Sequence, residues 1–114
     1  MRSKFQDAFR GLGAALKDHS VRIQVLLGIC AVIGGAIIRL SYGEWLAFIL
    51  CIGAVITAEI LNTAIERLCD FVEPEQNEKI GYIKDLGAGA VLAASLMSLL
   101  VCVLVVIRHF TEVL

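Results

Sequence analysis

Apolar positions along this chain follow two patterns. In residues 4–17, Phe5, Ala8, Phe9, Leu12 and Leu16 recur at spacings of three and four, while Arg2, Lys4, Asp7, Arg10 and Lys17 fall mostly off that stripe. Such a pattern predicts an amphipathic helix lying in the headgroup region of a membrane. Beyond it the stripe widens into three predominantly apolar runs, the second interrupted by Glu59. The runs predict helices over 21–40, 45–70 and 85–107, each about the ~20 residues a membrane span takes. Arg22 and Arg39 bracket the first run and can snorkel, Trp45 opens the second at a plausible interface, and the third carries no charge from Leu86 to Ile107. The expected fold is therefore an all-α membrane protein, a surface helix plus three transmembrane helices. Residues 40–44 form a tight connection, and the polar segment 71–84 holds the chain's single proline, Pro74.

Composition agrees with that reading: of the 114 residues, 59% are apolar and 18% charged, against about 45–50% and about 25% in soluble domains. The length allows one domain, 1–114, with little interior, so any chemistry would call for an oligomer. A net charge of −1 argues against nucleic-acid binding. Cys30, Cys51, Cys69 and Cys102 form no CxxC pair and read as small reduced thiols. No cleavable leader is expected, because no apolar h-region follows the first charges closely. Arg2, Lys4, Arg10, Lys17, Arg22, Arg67, Lys79 and Lys84 lie on one side of the expected spans, and only Arg39 and Arg108 on the other. The bias predicts a cytoplasmic N-terminus and second loop.

The carboxylates are the informative feature. Glu59, Asn62, Glu66 and Asp70 stand at i, i+3, i+7 and i+11, within an arc of about 80° at ~100° per residue. They form one polar stripe running from membrane depth to the cytoplasmic edge. An ionised carboxylate in hydrocarbon costs about 2.5–3.5 kcal/mol even on mild scales, so an intramembrane Glu signals function. Lys84 and Asp85, followed by Leu86-Gly87-Ala88-Gly89-Ala90, fall at the expected start of the third helix. There the free N–H groups of a helix N-terminus and a lysine favour phosphate. Gly89/Ala93 and Ala90/Ala94 would let another helix approach closely.

Phosphoryl transfer at the membrane surface fits these groups. Glu66, Asp70, Lys84 and Asp85 are placed for a nucleotide with Mg²⁺, which takes carboxylate and phosphate oxygens, and Glu59 is placed to accept the proton of a lipid alcohol. GxxxxGK[ST] and the protein-kinase signatures are absent. On the residues alone, a proton-coupled carrier with Glu59 as its ion site stands level with the kinase, although a carrier has no need of Asp70, Lys84 and Asp85. A structural three-span protein would tolerate alanine along the whole stripe. His109, near the outer end, has no catalytic role in any of these readings.

The stretch 58–94, with Glu59-x-x-Asn62-Thr63-Ala64-Ile65-Glu66, then Asp70, then Lys84-Asp85 and its small residues, resembles the prokaryotic diacylglycerol kinase family, which includes undecaprenol kinases. The resemblance implies a homotrimer with active sites shared between subunits in the bacterial inner membrane, using ATP and Mg²⁺. It implies Glu59 as general base against the lipid, with Ala88 beside the substrate, and Glu66 as a metal ligand. Asn62, Asp70, Lys84 and Asp85, with the loop residues Glu75, Gln76 and Asn77, would complete the nucleotide site. A second metal ligand in the family, usually Glu, lies four residues before an arginine. Here that position is Asp18, before Arg22, and a one-residue shift would put His19 there instead. The short N-terminus lacks a basic segment found in some diacylglycerol-specific members, which leaves diacylglycerol and undecaprenol both open.

Overall fold

A computed structural model describes residues 3–113; Arg2, counted above among the N-terminal cations, lies outside them. Four helices follow in order, α1 (Lys4–Ala15), α2 (His19–Ile38), α3 (Tyr42–Val72) and α4 (Glu78–Val113). Each start has a polar cap of the kind that satisfies a helix's free N–H groups. Ser3 and Gln6 form a capping box on α1, as Ser41 and Glu44 do on α3. The Asp18 carboxylate accepts from the Ser20 and Val21 N–H groups at the head of α2. Asn77 Oδ1 accepts from the Lys79 and Ile80 N–H groups at the head of α4.

These caps move the boundaries expected from hydropathy. The surface helix expected over 4–17 stops at Ala15. The first span starts at His19 rather than 21, because Asp18 caps it, and turns at Arg39 rather than running to 40. The second extends to Tyr42 and Val72. The largest correction concerns the third, expected over 85–107, which begins at Glu78 and continues to Val113. The cytoplasmic-loop candidate 71–84 shrinks to the few residues between Val72 and Glu78. Lys84 and Asp85 therefore sit well inside a helix, and the expected phosphate site on its free N-terminal N–H groups falls away.

Three helices, α2, α3 and α4, are long and apolar enough to cross a membrane. At ~1.5 Å per residue, α3 and α4 would measure about 46 and 54 Å, against a hydrocarbon core of about 30 Å. The central helix is α3, which packs on α2 and more extensively on α4. Where α2 meets α3, Gly28 and Gly35 let side chains in close: a Cβ on Gly28 would stand 2.8 Å from Ile52, and one on Gly35 2.7 Å from Leu40. The molecule extends over 57 × 38 × 19 Å, a layer about two helix diameters thick. Such a layer encloses almost nothing. Val21 is the largest fully buried side chain among the described residues, and Phe5 and Phe9 on α1 are 79% and 72% exposed.

Candidate functional site

The last turns of α3 carry the polar stripe, flanked by the start of α2 on one side and the early turns of α4 on the other. Glu59 and Asn62 are each only 7% exposed, whereas Glu66 and Asp70, further along, are exposed. Asn62 Nδ2 donates to Glu66 Oε1 at 3.0 Å, as side chains four apart on a helix can. The Asn62 oxygen is buried and accepts no hydrogen bond. It lies against Gly87 of α4, where an added Cβ would approach it to 2.4 Å. The small-residue run after Lys84 thus has a specific use: Gly87 lets α4 close down on Asn62. Of the pairs picked out by spacing, Gly89, Ala90 and Ala93 face outward within the protomer, and a Cβ on Gly89 would meet nothing within 4 Å.

Lys84 reaches back across the interface to Asp70, with Nζ 2.5 Å from Oδ1. The turn between α3 and α4 lines a cavity of about 420 Å³ that includes Glu75, Gln76, Asn77 and Lys84. The loop residues carried by family resemblance therefore share one space with Lys84. Within it, the Asn77 side-chain oxygen already caps α4. Asp85 and Ala88 are exposed on α4, and among the described residues Asp85 makes no ion pair or side-chain hydrogen bond.

Asp18 is heavily engaged. Beyond its two capping contacts, Oδ1 accepts from Thr63 Oγ1 at 3.4 Å and Oδ2 pairs with Arg67 at 3.5 Å. It ties the head of α2 to the stripe, with Thr63 and Arg67 lying between stripe positions on α3. From the sequence alone Thr63 is a matched motif position with no role assigned to it, and Arg67 is one more cytoplasmic cation. Their signal lay in flanking the carboxylates within a single helical turn. His19, the alternative to Asp18, is the first residue of α2 and exposed.

Glu59 and Glu66 stand one turn before and one turn after Thr63, where the Asp18 carboxylate reaches α3. Three acidic side chains gathered at one helix junction, with one arginine among them, carry a surplus of negative charge that a divalent cation would offset. The donors are hard oxygens, which suits Mg²⁺. They do not amount to a cage, since no group of three His, Cys, Asp or Glu among the described residues is arranged to hold a metal ion alone. Mg²⁺ bound by one or two carboxylates together with substrate phosphates needs no such cage.

Three helices long and apolar enough to cross a membrane, with a buried Glu59 on the same helix face as the exposed Glu66 and Asp70, describe a multi-pass membrane protein with a polar junction at one end. The chain belongs to the prokaryotic diacylglycerol kinase family, whose profile matches residues 6–106, and it is a lipid kinase. It is 35% identical over 102 residues to the undecaprenol kinase of Bacillus subtilis, covering 89% of this chain and 83% of that one. It is 38% identical over 56 residues to the diacylglycerol kinase of Escherichia coli, covering 49% and 46% respectively. Neither finding supports the carrier reading.

Proposed function

We propose that the protein transfers the γ-phosphoryl group of ATP to the hydroxyl of a membrane lipid alcohol at the cytoplasmic face of the bacterial inner membrane. The observation that carries the reading is the buried Glu59 carboxylate, at the membrane end of a stripe whose other end opens on Lys84 and the α3–α4 turn. Glu59 accepts the proton of the lipid hydroxyl. The freed oxygen attacks the γ-phosphorus in line, and ADP leaves with the electron pair of the broken P–O bond. No covalent enzyme intermediate is needed. Asn62 fixes the Glu66 carboxylate, which would hold Mg²⁺ together with Asp18. The metal would neutralise phosphate charge during transfer. Lys84, Asp70 and Asp85, with Glu75, Gln76 and Asn77, hold the nucleotide, and Ala88 borders the lipid. The cation bias across the spans supports the orientation.

A homotrimer belongs to the same reading. A layer 19 Å thick cannot surround both substrates, and the outward-facing Gly89, Ala90 and Ala93 on α4 suit close approach by another helix. In this reading α1 lies at the headgroups with Phe5, Phe9, Leu12 and Leu16 in the acyl boundary.

Of the two lipids, undecaprenol is placed first, because the similarity to the undecaprenol kinase runs along most of the chain. Purified protein given labelled ATP, Mg²⁺ and both lipids in competition should label undecaprenol preferentially. Label confined to diacylglycerol would reassign the substrate, and no labelled lipid at all would overturn the kinase mechanism. Lys84→Gln should raise the KM for ATP on the order of tenfold, through loss of a charged hydrogen-bond donor to phosphate. Its thermal stability should hardly change, because the Lys84–Asp70 pair is solvent-exposed and such pairs add little. An unchanged KM would remove Lys84 from the nucleotide site.

A further inference from the structure

The end of the bundle away from Glu66 and Asp70 holds a second polar site. There the α2–α3 turn and the last turns of α4 border an open cavity of about 520 Å³. Arg39 and Arg108 line it from different elements, together with Glu44, Glu112 and His109. His109 Nδ1 lies 2.9 Å from Glu44 Oε1, and that pair is largely buried. Arg108 Nε donates to Glu112 Oε1 at 2.9 Å, and this pair is exposed. Arg39 has no ion pair or side-chain hydrogen bond among the described residues.

Arg39 is also the single non-glycine residue with positive φ among the described residues, at φ 59 and ψ 62. Its position is the left-handed cap of α2, a place ordinarily given to glycine because a Cβ is strained there. A strained backbone that holds an unpaired guanidinium at a cavity rim points to a use for the side chain. The Gly43 N–H, in the first turn of α3 and bordering the same cavity, has no intrahelical acceptor.

A simple anion would meet Arg39, Arg108 and that N–H, but also the carboxylates of Glu44 and Glu112. A simple cation would meet the reverse. The mixture complements a group that carries both signs a few ångströms apart. These residues sit near the ends of helices long and apolar enough to cross a membrane, which would bring the cavity to the depth of lipid headgroups. We propose that this cavity binds the zwitterionic headgroup of an aminophospholipid, its phosphodiester toward Arg39 and Arg108 and its ammonium toward Glu112. The site is independent of the kinase mechanism.

The protein carries its own reporter. Its single tryptophan, Trp45, packs over Gly35 in the first turn of α3, two residues after Gly43. Purified full-length protein in micelles would be titrated with short-chain phosphatidylethanolamine, followed by Trp45 emission and by calorimetry. A saturable response is expected, with short-chain phosphatidylglycerol and inorganic phosphate each roughly tenfold weaker. Arg39→Gly, which relieves the left-handed strain and so keeps the fold, should weaken phosphatidylethanolamine binding by about tenfold or more while leaving helix content and lipid kinase turnover unchanged. Saturation by inorganic phosphate at the same concentration would overturn the lipid assignment in favour of free phosphate. An equal response to phosphatidylglycerol would overturn the zwitterion. No saturable response by either readout, or an Arg39→Gly protein that binds like its parent, would overturn the site altogether.

Discussion

Replacing Glu59 by glutamine is expected to lower kcat by about 10²–10⁴-fold, the usual range for removing a positioned general base, while ATP binding stays close to that of the parent. Glutamine keeps the size of the side chain and its hydrogen-bonding reach but cannot take up a proton. The position is buried, so water cannot readily substitute as the base. The substitution adds no bulk beside Glu66 or Asp18, so neither the fold nor the proposed metal site should suffer. Two measurements decide the matter: single-turnover transfer from labelled ATP, and nucleotide affinity by equilibrium binding. Weakened nucleotide binding with near-normal transfer at saturating ATP would move Glu59 out of the role of base and into the nucleotide site.

Gly87→Ala should be the most damaging small substitution on α4. Its Cβ would lie 2.4 Å from the buried oxygen of Asn62, well inside van der Waals contact. Either α4 backs away from α3 or the Asn62 amide swings aside, and the second outcome breaks its hydrogen bond to Glu66. Overpacking of this kind costs about 1–3 kcal/mol of stability. Displacing a residue that orients the site by about 1 Å costs on the order of 10²-fold in rate. Gly89→Ala is the control, because nothing lies within 4 Å of that position within the protomer. Thermal unfolding and kcat measured on both variants separate the two effects. Full activity in Gly87→Ala would show that the Asn62–Glu66 arrangement survives the added methyl or is not needed for transfer.

The sequence made the spans and the stripe legible for a simple reason. Long apolar runs have few alternatives, and the rotation of 100° per residue places Glu59, Asn62, Glu66 and Asp70 on one face whatever surrounds the helix. Residues 78–84 misled because Glu78, Lys79, Gly81 and Lys84 read as a polar loop. The decisive mark was local: the side-chain oxygen of Asn77 starts α4 a few residues after Pro74. Contacts between elements were the hidden part. Asp18 meets Thr63 across 45 positions, Lys84 meets Asp70 across 14, and Gly87 matters only because Asn62 faces it. Periodicity describes each helix by itself and is silent on which faces meet.

From Glu59 to Asp70 the stripe climbs 11 residues of unbroken helix, a rise of about 16 Å. A helix neither stretches nor compresses appreciably, so α3 works as a depth gauge. In the proposed mechanism, the carboxylate that takes the lipid proton and the groups that hold the far end of the nucleotide stand a fixed distance apart along the helix. One residue inserted between Glu59 and Glu66 would turn the two ends about 100° away from each other while leaving every side chain in the stripe chemically intact.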